Sequence, residues 1–169
     1  MNRLGHQSGA VAIALGVATA TGMPTPAALA YASCAYLTST LPDTDQTKPW
    51  RLLDKLVPDE WFGGPLAHRG ITHWWGIPAI AYAATLNLAG PAAVIVQGLI
   101  LGYAAHIALD AIWGRPGVPV GPWWWHAGVS LRNDGAVGVI ATAGLIVGAL
   151  WLAACLAFDL PADPRWLLN

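Results

Sequence analysis

Apolar and polar positions in this chain are sorted into long blocks rather than into the short alternations of a half-buried soluble helix or strand. Five apolar blocks can be drawn, near residues 6–22, 26–41, 71–89, 91–113 and 136–158. A helix needs about 20 residues to cross the hydrocarbon core of a bilayer, and the last two blocks meet that length easily. The first two are shorter and rich in Ala, Gly, Ser and Thr, small residues that let helices approach closely in lipid. The third is interrupted by Pro78. Either one helix begins near Ile71 and kinks at Pro78, or the regular helix begins near Gly76 with Pro78 in its first turn. The second option leaves residues 68–75, HRGITHWW, as a loop at membrane depth, which is tolerated only when buried in protein or lining a wet cavity. We expect the kinked helix. The pattern predicts an all-α, polytopic transmembrane bundle of about five helices, forming one membrane-embedded domain over residues 1–169.

The linkers differ in character. Residues 22–26 and 88–91 are tight, uncharged turns, whereas 42–70 and 114–135 carry nearly all the charge. The stretch Gly144–Gly148, GLIVG, is a small-xxx-small pattern expected to pack within the chain. Composition agrees with a membrane protein: 56% of residues are hydrophobic and 10% charged, against about a quarter charged in soluble domains. A net charge of −1 gives no reason to expect a nucleic-acid partner. The partner that composition leads one to expect is the lipid bilayer. Cys34 and Cys155 lie in apolar blocks with no CxxC spacing, so they read as buried thiols rather than zinc ligands. Arg3, the apolar run 10–22 and the ALA at 28–30 resemble a secretory signal. Apolar character resumes at once after Ala30, however, which favours two successive membrane helices.

Threading five helices up and down brings seven ionisable residues to one side. His6 opens the first helix, and Asp43 and Asp45 follow the second. His68 and His73 precede or open the third, and His106 and Asp110 lie in the last turns of the fourth. His106 and Asp110 are four residues apart and share a helix face. His68 and His73, five apart, diverge by about 140° on a regular helix, so they converge only if the chain breaks, as Gly70 permits. An ionisable pair inside an apolar helix is costly and marks a functional site by default. Mixed imidazole and carboxylate donors suit Zn, Mn or Fe, and seven candidates leave room for one ion with a base or for two ions. Thr72 reads as a helix cap. Trp74, Trp75 and the run Trp123–Trp125 read as an aromatic belt at the headgroups, with His126 beside it. The ligand side carries Arg3, Lys48, Arg51, Lys55, Arg69, Arg115 and Arg132, and the other side only Arg165. That imbalance predicts an inner (cytoplasmic) membrane protein with the ligand side in the cytoplasm and the C-terminus outside.

These residues resemble the YdjM-like family of membrane-bound, metal-dependent hydrolases, some of which are LexA-regulated. The likeness runs through GHQSG at 5–9, LPDTDQ at 41–46, HRGITH at 68–73, LGYAAHIALD at 101–110 and GVPVGPWW at 117–124. It implies that His6, Asp43, Asp45, His68, His73, His106 and Asp110 are metal-site residues, with Arg69 beside them. This sequence departs from the family pattern at Trp74 and at IWGRPG, residues 112–117. The His/Asp pattern is distantly similar to zinc-dependent phospholipases C. The activity so implied is hydrolysis by a metal-activated water, with Asp45 or Asp43 taking the proton and Arg69 clamping a phosphate. Two other readings stand beside it. One is a metal-free lipid-phosphatase-like enzyme using His106 and Asp110, although its accompanying phosphate-binding motifs are absent. The other is a non-enzymatic metal-binding membrane protein or transporter.

Overall fold

The computed structural model describes residues 3–47, 70–113, 118–119, 126–127 and 135–158. Among these the fold is all-α apart from one two-residue strand pair. Helices α1 (Arg3–Ala20), α2 (Thr25–Thr38), α3 (Gly76–Ala84), α4 (Gly90–Trp113) and α5 (Gly135–Phe158) follow in order. Single 3₁₀ turns stand at Pro42–Gln46 and Ile71–His73. Strands β1 (Val118–Pro119) and β2 (His126–Ala127) pair antiparallel.

Local chemistry sets the boundaries. Gly22, at φ +65°, ends α1. The amide of Met23 donates to the Ala18 carbonyl at 2.9 Å and that of Gly22 to Thr19 at 3.2 Å. This double closure leaves the last residue left-handed, the conformation glycine adopts without steric cost. Pro26 lies in the first turn of α2, where a missing N–H costs nothing.

The third block departs from expectation. Residues 71–73 form a separate turn, and the helix starts only at Gly76, with Pro78 in its first turn. The proline therefore opens a helix rather than kinking one. Thr72 is not a cap: no side chain caps either end of the break, and its hydroxyl instead meets the His73 ring. At nine residues, α3 is about 13.5 Å long, too short to cross a bilayer. Helix α2, with 14 residues, spans about 21 Å. Among the described helices, α4 and α5 are long and apolar enough to cross alone. Among the described residues there are thus five α-helices but two candidate spans.

Helix α1 packs on α2, α4 and α5, and α2 packs on α4. Ala14, Leu15, Tyr31, Ala32 and Ala35 form the core between α1 and α2, with Val94, Leu101 and Leu152 against it. The α2–α4 contact depends on Gly98 and Gly102. A methyl group at Gly98 would lie 2.7 Å from the Tyr31 carbonyl oxygen and 3.0 Å from the Cys34 Cβ. One at Gly102 would run into the Ala35 carbonyl and lie 2.6 Å from the Ala35 Cα. The Thr38 hydroxyl donates to the Leu99 carbonyl at 2.6 Å across the same contact. Gly144 and Gly148 behave differently: nothing described lies within 4 Å of a methyl group built on either. The GLIVG stretch instead packs within the chain through Leu145, whose Cδ1 would lie 3.3 Å from a methyl group built on Gly9 of α1. Cys155 is buried, whereas Cys34 is only partly so. Outward-facing apolar side chains are plentiful, including Leu37, Ile80, Leu86, Val139, Ile140, Val147 and Leu150, as a lipid-facing surface requires.

Candidate metal centre

Four separate segments deliver side chains to one end of the bundle. His6 comes from the second turn of α1, Asp43 from the turn after α2, His73 from the turn before α3, and His106 and Asp110 from the last turns of α4. His6 and Asp110 are each 2% exposed, His73 and His106 are fully buried, and Asp43 is 31% exposed.

Asp110 uses both carboxylate oxygens. Its Oδ1 lies 3.3 Å from His6 Nε2, and its Oδ2 lies 3.5 Å from His73 Nε2 and 3.6 Å from His106 Nε2. Asp43 Oδ1 approaches the same two imidazoles, at 3.7 Å from His73 Nε2 and 3.6 Å from His106 Nε2. The His6 and His106 rings are stacked, with centroids 3.9 Å apart and planes 14° from parallel. The His73 ring meets His106 edge-on at 5.2 Å.

Backbone contacts orient the rings. His106 Nδ1 lies 2.6 Å from the Ser39 carbonyl oxygen. A carbonyl oxygen can only accept, so the ring donates Nδ1–H there and turns Nε2 toward the carboxylates. His73 Nδ1 is 3.1 Å from the Thr72 hydroxyl. The Tyr103 hydroxyl, three residues before His106, donates to the Thr72 carbonyl. A ring nitrogen fixed by an outer hydrogen bond, with the other aimed inward, is the usual arrangement around a metal-binding histidine.

The donor chemistry fits a divalent cation. Two carboxylates and three imidazoles are gathered where burial penalises uncompensated charge. His6 Nδ1 and His106 Nε2 are buried without a hydrogen-bond partner among the described residues. In each of two overlapping sets, His6–His106–Asp110 and Asp43–His73–His106, the donor atoms lie within 4.8 Å of one another, close enough for a shared ion by distance alone.

Of the seven residues expected at a metal site, the structure brings together His6, Asp43, His73, His106 and Asp110. The other two, His68 and the side chain of Asp45, lie outside what is described, as does Arg69. The sequence reading missed Ser39, Thr72 and Tyr103 as orienting groups. Tyr103 shares the end of α4 with the site residues and was the accessible clue, whereas a backbone carbonyl such as that of Ser39 carries no sequence signal.

The geometry defines a membrane-type helical bundle with a buried His/Asp cluster able to bind metal at one end. Residues 1–163 match the model of the YdjM inner membrane protein family, and the chain belongs to that family. No curated protein and no solved structure matches it.

Proposed function

We propose that this chain is a membrane-bound, metal-dependent hydrolase acting on a phosphoester or lipid-linked substrate. One observation carries the reading: His73 and His106 present Nε2 to Asp43 and Asp110 at 3.5–3.7 Å in a buried cluster. A divalent ion held there, zinc by preference, would supply Lewis-acid polarisation and a water acidified to a pKa of roughly 7. Asp43 belongs to the cluster, which leaves Asp45, two residues on, as the general base. Arg69, next to Gly70, is the anion clamp, its planar fork suited to a phosphate. The chain is a multi-pass inner-membrane protein, anchored by α4 and α5, the two helices long and apolar enough to cross alone. The donor end faces the cytoplasm and the C-terminus lies outside, as the Lys and Arg distribution favours.

The test is elemental analysis of detergent-purified protein beside a panel of phosphoester and lipid substrates. Wild type should carry close to one or two equivalents of metal and cleave a panel member. His73→Ala and Asp110→Ala should lose both properties. Less than about 0.2 equivalents in wild type, unchanged in His73→Ala, would remove the proposal. Activity that survives exhaustive chelation would favour metal-free chemistry at His106 instead. Metal flux into proteoliposomes without hydrolysis would favour a transporter.

A further inference from the structure

The five converging residues do not hold equivalent positions. Asp43 Oδ1, His73 Nε2, Asp110 Oδ2 and His106 Nε2 form a closed ring in which carboxylate and imidazole alternate. Its four edges measure 3.7, 3.5, 3.6 and 3.6 Å. A tetrahedral ion with bonds of about 2.1 Å needs donors about 3.4 Å apart, and edges near 3.6 Å correspond to bonds of about 2.2 Å. A square-planar ion would need bonds of about 2.5 Å to span the same edges, longer than such donors allow. Each edge is therefore that expected of two donors sharing one ion.

His6 stands outside that ring. An imidazole donates its lone pair in the plane of the ring. The His6 and His106 planes are nearly parallel and stacked at 3.9 Å. The in-plane lone pairs of two such rings run side by side rather than converging on one point. The two rings cannot serve one ion in this arrangement. Nor does His106 have a nitrogen left for a second ion, because Nδ1 is held by the Ser39 carbonyl. His6 Nε2 instead lies 3.3 Å from Asp110 Oδ1, the carboxylate oxygen that takes no part in that ring.

We propose that the cluster binds a single divalent cation through Asp43, His73, His106 and Asp110, and that His6 is a positioning residue. It donates Nε2–H to the outer oxygen of Asp110 and stacks on His106, so that both point inward. The proposal rests on the metal-binding reading above but not on hydrolysis.

Cobalt(II) and zinc titrations of the full-length protein in detergent test it, with bound metal and visible absorption as readouts. Wild type should saturate at one equivalent with the intense spectrum of four-coordinate cobalt. His6→Gln keeps a side-chain N–H donor. It should retain one equivalent and that spectrum, with affinity lowered roughly 10–100-fold. His6→Ala should bind more weakly than His6→Gln, and His73→Ala should lose the spectrum. Saturation of wild type at two equivalents would overturn the single-ion assignment, whether or not any variant folds. A folded His6→Gln that loses the metal as completely as His73→Ala would make His6 a ligand and overturn its positioning role. Wild type that binds no metal would overturn the underlying reading together with this one.

Discussion

Helices α4 and α5 have the same length, 24 residues, and both are apolar enough to cross a bilayer. Each carries a Gly-xxx-Gly step. Their roles are nevertheless opposite. Helix α4 is gripped by α2 at Gly98 and Gly102 and delivers His106, Asp110 and Tyr103 to the site. Helix α5 packs one side on α1, and nothing among the described residues lies within 4 Å of a methyl group built on Gly144 or Gly148. The comparison teaches that a small-residue step has no meaning of its own. The backbone it faces decides whether a glycine is a structural requirement or a surface position.

The sharpest way to break the contrast is Gly102→Val. A branched side chain there must displace the α2 backbone at Ala35, so it should cost more than about 3 kcal/mol and prevent recovery of monodisperse protein in detergent. Retention of wild-type thermal stability would show that α2 and α4 do not touch at this point. Gly98→Ala meets one carbonyl oxygen at 2.7 Å rather than a run of backbone atoms. Thermal unfolding followed by tryptophan fluorescence should register a loss of about 1–3 kcal/mol. Tyr103→Phe removes a single hydrogen bond to the Thr72 carbonyl, worth about 1 kcal/mol. Because that bond steadies the His73 turn, metal affinity should fall as well, and a change in stability alone would separate the turn from the site. Gly148→Leu, in α5, should stay within about 0.5 kcal/mol of wild type. A large loss there would mean that a second surface covers the helix.

Different parts of the molecule were legible to different degrees. Helices α4 and α5 were readable almost to the residue, because an unbroken apolar run has few alternatives to a helix in lipid. The start of α3 was not, because hydropathy continues through Ile71–Trp75 while the backbone does not. Burial of Thr72 and His73 and the position of Pro78 decide it. The short α2 and α3 also explain why counting apolar blocks overstates the number of complete crossings. At the site, the four-residue spacing of His106 and Asp110 announced a shared face. Ring stacking leaves no trace in the sequence, so His6 looked equivalent to the other histidines. The Gly98–Gly102 step was as visible as Gly144–Gly148, and only the neighbouring backbone tells them apart.

The closed ring at the bundle end also has a consequence for biosynthesis. Asp43 and His73 precede His106 and Asp110 along the chain, and the last two arrive only with the far end of α4. At roughly 5–20 residues per second, the ribosome releases the first carboxylate several seconds before the second. During that interval the nascent chain offers incomplete sets of donors, each a weak competitor for metal. On the proposed metal-binding reading, tight loading would therefore follow the docking of α4 on α2, and the two glycines that permit this docking would set when the cluster can be charged.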